Sequence, residues 1–164
     1  MTIRVIKVGG SLFDLPDLAE RLRSLLSRLS LATNVLVAGG GALADAIEQA
    51  QRRHNINDEA AHWLCISTLN TSAAWLHAIL PEASLTEDAG IVLTAAAPSN
   101  WILQVERLLR SPLSGDAIRQ LPHDWSVTTD SIAAAVAVEL GAEELLLVKS
   151  ADFSPPPNPP RLCC

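Results

Sequence analysis

A strand-like run that breaks into glycines and resumes as a helix occurs twice near the start of the chain, and it limits the fold more than any other feature. The first copy is the apolar run Ile3-Arg4-Val5-Ile6 followed by Lys7-Val8-Gly9-Gly10-Ser11, with a helical pattern from about Asp14. About thirty residues later Asn34-Val35-Leu36-Val37-Ala38 leads into Gly39-Gly40-Gly41. Glycines let the backbone approach an anion and turn amide N–H groups toward it, and a following helix N-terminus adds positive potential. Lys7 brings a full charge to the first turn. Each glycine turn also serves as a plain tight strand-to-helix connection, and Lys7 as a solvated charge at a strand end.

Strand and helix patterns alternate along the rest of the chain. Residues 3–8 read as a buried strand. Residues 14–30 read as an amphipathic helix with Leu15, Leu18, Leu22, Leu25, Leu26 and Leu29 on one side. Residues 34–38 form a second strand, and 42–53 a second helix. Asp58 is placed to cap a third helix over 59–80, which Pro81 ends. Residues 91–96 read as a strand, and 101–108 suit either a strand or a helix. Residues 111–124, with Pro112, Gly115 and Pro122, form a long connection holding at most one short helix. Residues 131–140 form an Ala-rich helix closed by Gly141. Residues 144–149 form a last buried strand. The resulting fold class is α/β: a three-layer sandwich with a mainly parallel central sheet. The expected domain covers residues 1–153, and the Pro-rich stretch 154–164 is an extended tail.

Such sheets bind ligands beyond the carboxyl ends of their strands. The two glycine turns and Lys149, at the end of the last strand, are therefore expected to meet at one edge. Composition narrows the ligand. The chain has 164 residues, is 49% hydrophobic and carries a net charge of −6 without a Lys/Arg cluster. That argues against a nucleic-acid groove or a membrane-surface patch, and leaves small phosphorylated molecules held by a local Lys and backbone amides. No apolar stretch reaches the roughly 18 residues a membrane span needs, and no export signal is read, so a reducing cytoplasm is expected. Cys65, Cys163 and Cys164 make no disulfide framework, and Cys65 reads as a small core residue. No Cys/His spacing suits zinc, and the P-loop, the GxGxxG dinucleotide turn and the nucleophile elbow are all missing. In Val127-Thr128-Thr129-Asp130-Ser131, Thr129 or Asp130 reads first as an N-cap. His62 and Trp63 read as packing residues. His123 and Trp125 are open to either packing or ligand contact.

Lys7-Val8-Gly9-Gly10-Ser11, then Val37-Ala38-Gly39-Gly40-Gly41, then Asp130 opening an Ala-rich helix before an apolar strand, together resemble the amino acid kinase superfamily over residues 3–150. That group includes acetylglutamate, aspartate, uridylate and isopentenyl-phosphate kinases. His62-Trp63, and the run from Leu121-Pro122-His123-Asp124-Trp125 to Ile132-Ala133-Ala134, look most like a small branch. It contains the archaeal furan-phosphate kinases of methanofuran synthesis and bacterial relatives linked to tetrahydromethanopterin one-carbon metabolism.

The resemblance implies phosphoryl transfer from ATP, with Mg2+ arriving on the nucleotide, to a carboxylate, phosphate or hydroxyl of a small-molecule acceptor. By the same resemblance Lys7 and Asp130 are catalytic. Lys7 neutralises the transferred group, and Asp130 orients Lys7 or helps hold a magnesium complex. Gly9, Gly10, Ser11, Ser131 and Lys149 bind phosphate or nucleotide, and Gly39, Gly40 and Gly41 line the acceptor side. No protein-held metal is expected, and a homo-oligomer is common in the family. The chain departs from the family pattern after the last strand. Lys149-Ser150-Ala151-Asp152-Phe153 stands where Thr-Asp-Val-Asp-Gly is usual, so the nucleotide half is expected to be shortened, with Lys149 substituting for a second catalytic lysine. Two functions of different classes follow: an ATP-dependent small-molecule kinase, or a noncatalytic relative that binds a phosphorylated ligand or acts as a scaffold.

Overall fold

A computed structural model of the chain describes residues 2–29 and 31–150. The proposed tail, with Asp152, Phe153, Cys163 and Cys164, lies outside the described residues. The element order is β1 (Ile3–Val8), a 3-10 turn (Gly10–Asp14), α1 (Leu18–Arg28), β2 (Thr33–Ala38), α2 (Gly41–His54), α3 (Asp58–Ile79), β3 (Ser84–Thr86), α4 (Ala89–Thr94), β4 (Ser99–Leu103), α5 (Glu106–Arg110), α6 (Asp116–Arg119), α7 (Thr129–Glu139) and β5 (Glu144–Val148). The five strands form one sheet in the order β3-β4-β2-β1-β5, and every neighbouring pair is parallel. This is the expected α/β fold with helices on the sheet faces.

The two central strands, IRVIKV and TNVLVA, are buried along their whole length. Their alternate side chains feed opposite faces. Ile3, Val5, Val35 and Val37 pack with Ile66, Leu69, Ile132, Ala133 and Val136 of α3 and α7. Ile6, Val8, Leu36 and Ala38 pack with Leu12, Leu18 and Leu22 of the turn and α1, and with Ala73 and Leu76 from the second half of α3.

A polar row crosses the sheet inside this apolar setting. Arg4 is 1% exposed. Its Nη1 donates to Asn34 Oδ1 at 3.0 Å, Asn34 Nδ2 donates to Asn100 Oδ1 at 2.8 Å, and its Nε pairs with Glu144. These residues are register partners on β5, β1, β2 and β4. A one-residue slip of any strand would bury a charge or an amide without its partner, so the row fixes the register.

Several local expectations change. The first helix starts at Leu18, not Asp14. Pro16 drives Leu15 into extended geometry and splits a 3-10 turn from the helix. The cap of α3 is Asn57, whose side chain accepts from the Ala60 amide at 2.8 Å, while Asp58 is the first helical residue. Residues 91–96 are not a strand. Asp88 caps the Gly90 amide at 2.8 Å and starts α4, with Val92 buried and Ile91 and Leu93 exposed. A short apolar run carries no periodicity that separates the two readings. The region 101–108 holds both elements, β4 to Leu103 and α5 from Glu106. The three-residue β3 had no sequence signal. Cys65 is only half-buried, and burial pushes its thiol up. The last strand is not buried: among the described residues β5 is the sheet edge, with Leu145 and Leu147 exposed.

Candidate active site

The carboxyl ends of β1, β2 and β5 lie side by side, and the expected residues gather there. Lys7 and Val8 are register partners of Val37 and Ala38 on one side and of Leu147 and Val148 on the other. Helix α7 packs over β1 and β5, and Asp130 stands in its first turn. Thr128 is the actual cap: its hydroxyl accepts from the Ser131 amide at 3.2 Å. Asp130, freed from capping, reaches down to the strand ends.

There it is held between two lysines. Lys7 Nζ lies 2.8 Å from Asp130 Oδ1, and Lys149 Nζ donates to Oδ2 at 2.6 Å. Lys7 is 9% exposed. Oδ1 is fully buried and receives no well-aligned hydrogen bond, so its contact with Lys7 is chiefly one of charge. Burial pushes the Asp130 carboxyl up, but the Lys149 and Lys7 ammoniums outweigh it and hold the group below the usual carboxylate range. The cluster keeps two cations against one anion, a net positive charge at the end of an acidic protein's sheet.

The glycine turns pack backbone to backbone. A Cβ on Gly10 would sit 2.2 Å from the Gly41 nitrogen, and one on Gly39 would sit 2.5 Å from the Gly10 nitrogen. Gly41 also has φ +52, and a Cβ on Gly40 would meet Ala44 at 2.6 Å. The Gly9 amide donates to Val148 O and the Gly39 amide to Val8 O, both at 2.9 Å. These two amides belong to the sheet rather than to a ligand cradle. Gly10 and Ser11 open the 3-10 turn, where the first N–H groups lack helical partners.

The turns enclose a cleft of about 380 Å³ lined by Gly10, Ser11, Gly39, Gly40, Gly41 and Thr129, with Asp14 and Asp45 on its walls. A second groove of about 650 Å³ runs along α1 past Leu12 to Lys149 and Ser150. Ser11 Oγ and Ser150 Oγ lie 2.9 Å apart between them. Ser131 stands apart from the lysines' contacts, its hydroxyl 3.1 Å from that of Thr128. Sequence reasoning missed Asp14, Asp45 and Ser150 as cleft or groove residues. Their proximity to the turns was the only available signal.

The two branch-like segments also meet. The His62 ring stacks on His123 at 5.0 Å between centroids, Trp63 lies edge-on to both at 5.1 and 4.9 Å, and the Arg110 guanidinium covers Trp63 at 3.9 Å. His62 and Trp63 pack, as read from the sequence, and His123 packs with them. The Trp125 indole N–H donates to Gln51 of α2. These contacts tie the segment preceding Asp130 to α3 and α2. Burial first, then the charge of His123, holds the His62 imidazole below its ordinary range, against the opposing pull of Asp124. The unfolded chain therefore takes up that proton first as pH falls. Stability should rise between about pH 5 and pH 7 and drop on acidification through the ordinary histidine range. Thermal unfolding of His62→Gln followed over that range should show a flatter dependence. An unchanged slope would remove His62 as its source.

A parallel sheet with its cleft at the strand carboxyl ends defines an α/β protein of the kind that binds ligands at that edge. The family is shown by the sequence as a whole. The model of the amino acid kinase family matches residues 2–160, and the chain belongs to that family. No curated protein sequence matches it significantly. Among solved structures it is similar to uridylate kinase from Archaeoglobus fulgidus, with TM-score 0.64 and 18% identity over 93% of this chain. The likeness is one of fold, and this chain spans 64% of that chain's length. No helix of the described residues is long and apolar enough to cross a membrane.

Proposed function

We propose that this chain is an ATP-dependent phosphotransferase acting on a small acceptor through a carboxylate, phosphate or hydroxyl. The observation that carries the reading is the Lys7–Asp130–Lys149 cluster at the carboxyl ends of β1 and β5, between the glycine cleft and the α1 groove. Phosphoryl transfer needs positioned positive charge more than covalent chemistry. Lys7 faces the transferred group, and Lys149 is the second cation. Asp130 holds both ammoniums in place. Gly10 and Ser11 supply amides and a hydroxyl to the phosphates. Gly9, Gly39, Gly40 and Gly41 keep the two turns close enough to form one cleft, whose far side takes the acceptor. Ser131 and Thr128 fix the start of α7.

The donor set fits Mg2+ carried by the nucleotide. Asp130 Oδ1 is a buried acceptor without an aligned donor, and the described residues contain no group of three metal-ligating side chains. When bound, the ion would neutralise phosphate charge, and Asp130 is the residue placed to help hold the complex. The furan-phosphate kinase-like branch and its place in one-carbon metabolism are proposed on the sequence resemblance of His62-Trp63 and of residues 121–134; His62, Trp63 and His123 pack together. A cytoplasmic setting belongs to the same proposal.

Thermal unfolding with Mg·ATP, ADP and inorganic phosphate tests the reading. At one hundred times its dissociation constant a bound nucleotide should add about 2.7 kcal/mol, or a Tm rise of roughly 5–10 °C. No shift with any nucleotide would sink the kinase. A shift without phosphate transfer to any acceptor would favour the noncatalytic binder.

A further inference from the structure

We propose that the stacked pair His62–His123 is a proton-operated latch, which holds residues 121–128 against α3 while the rings are neutral and releases them on mild acidification.

Residues 121–128 lead from α6 into α7 and form neither helix nor strand. Their ties to the helices beside them are made by side chains. His123 stacks on His62 of α3, with 5.0 Å between centroids and 18° between the planes. The His62 ring is also hydrogen-bonded to the Asp124 backbone. The Trp125 indole donates to Gln51 of α2, and Gln51 Nε2 donates in turn to Asp58 Oδ1 at 2.8 Å, at the start of α3. Two of these ties run through one buried imidazole, since His62 is 8% exposed. Histidine is the side chain that gains charge in mildly acidic water.

The surroundings suit neutral rings. The Arg110 guanidinium of α5 already covers Trp63 at 3.9 Å, and Trp63 lies edge-on to both imidazoles. Helices α6 and α7 present Ile118 and Ile132 to the small cavity that the two rings border, and α2 meets the segment through uncharged Gln51. The carboxylates near the pair are poorly placed to neutralise it. Glu59 of α3 is exposed, with Oε1 4.0 Å from His123 Nδ1. The Asp124 carboxylate accepts from the Ser126 amide at 2.8 Å. Glu106 of α5 is taken up by Arg110, Ser67 and Asn70. Protonating both rings would set two imidazoliums about 5 Å apart beside a guanidinium. Released from the stack, each ring takes its proton in water, away from the other cations. Opening and proton uptake therefore favour each other, and the open population grows as pH falls through the histidine range. The segment ends at Thr128, and the next residue, Thr129, lines the glycine cleft. The latch thus bears on a wall of the cleft, while Lys7 and Lys149 still hold Asp130. It acts whether or not that cleft transfers phosphate.

The test is amide hydrogen exchange of the full chain, compared between about pH 7.5 and about pH 5.5 and corrected for the intrinsic pH dependence of exchange. The expected result is a loss of protection over residues 121–128 of about tenfold, the effect of one unit of differential proton affinity, while β1 and β2 keep theirs. His62→Gln combined with His123→Phe keeps a donor toward the Asp124 backbone and a flat ring above it, and should abolish the change. His123→Lys fixes a cation in the stack and should leave the segment open at both pH values. Equal protection of the wild-type segment at the two pH values would overturn the latch. So would a loss shared equally by β1 and β2, a double variant that still opens as the wild type does, or a His123→Lys segment that stays protected near neutrality.

Discussion

Lys7→Ala should lower phosphate transfer to the acceptor by about a thousandfold while the chain stays folded. The scale is that of removing one positioned charge donor from a transition state that accumulates negative charge. Lys7 is buried, but its loss does not strand Asp130, because Lys149 remains 2.6 Å from Oδ2. The carboxylate keeps a counterion, so the fold is retained and the deficit falls on chemistry. The carboxyl's lowered range adds a pH signature. A carboxylate whose folded pKa is depressed contributes stability that is complete above its unfolded value and is lost as pH falls through its folded one. Asp130 therefore stays ionised throughout the neutral range and introduces no activity change there. Comparing kcat and melting temperature of the two proteins checks both halves. A full-rate Lys7→Ala enzyme would remove Lys7 from the chemistry, and a collapsed melting temperature would make its role structural.

Gly10→Ala should cost about 3 kcal/mol or more, a fall in Tm of roughly 10 °C. The new Cβ would lie 2.2 Å from the Gly41 nitrogen and 2.5 Å from its Cα. Both atoms are backbone at the start of α2, so neither side can yield by changing a rotamer. The two turns must separate, and the cleft between them opens. Gly141→Ala is the control. Unlike Gly10 it has φ above zero, at +59°, but its Cβ would meet nothing within 4 Å, so its cost is the backbone term alone, about 1–2 kcal/mol. Chemical denaturation of both variants separates the two causes. Equal losses would mean that the close approach at Gly10 is relieved at little cost.

The glycine positions mark how far local signal reached. That two strand–glycine–helix units should meet at one sheet edge was legible, because parallel topology sends successive strand ends the same way. What the glycines do there was not. From the sequence Gly9 is expected to bind phosphate and Gly39 to line the acceptor side, or each to serve as a plain tight turn; their amides close sheet bonds to Val148 and Val8. The cap of α7 moved from Thr129 or Asp130 to Thr128, and that one-residue difference lets Asp130 turn inward to the lysines. Lys149 is expected at that edge as a phosphate-binding residue and a substitute for a second lysine, but its place beside Asp130 depends on β5 pairing with β1, a contact across about 140 residues.

The order of local patterns determined the α/β class, the parallel sheet and the edge at which the glycine turns and Lys149 assemble. Those follow from periodicity, glycine freedom and the geometry of strand–helix connections, all of which act over a few residues. Tertiary structure alone decided the strand order β3-β4-β2-β1-β5, the exposure of β5, the short β3 and the Arg4–Asn34–Asn100 row. It also decided the pairing of Asp130 with Lys7 and Lys149. Each of these depends on which distant strands become neighbours. That choice rests on burying both faces of the sheet and satisfying buried polar groups together, which no single segment encodes.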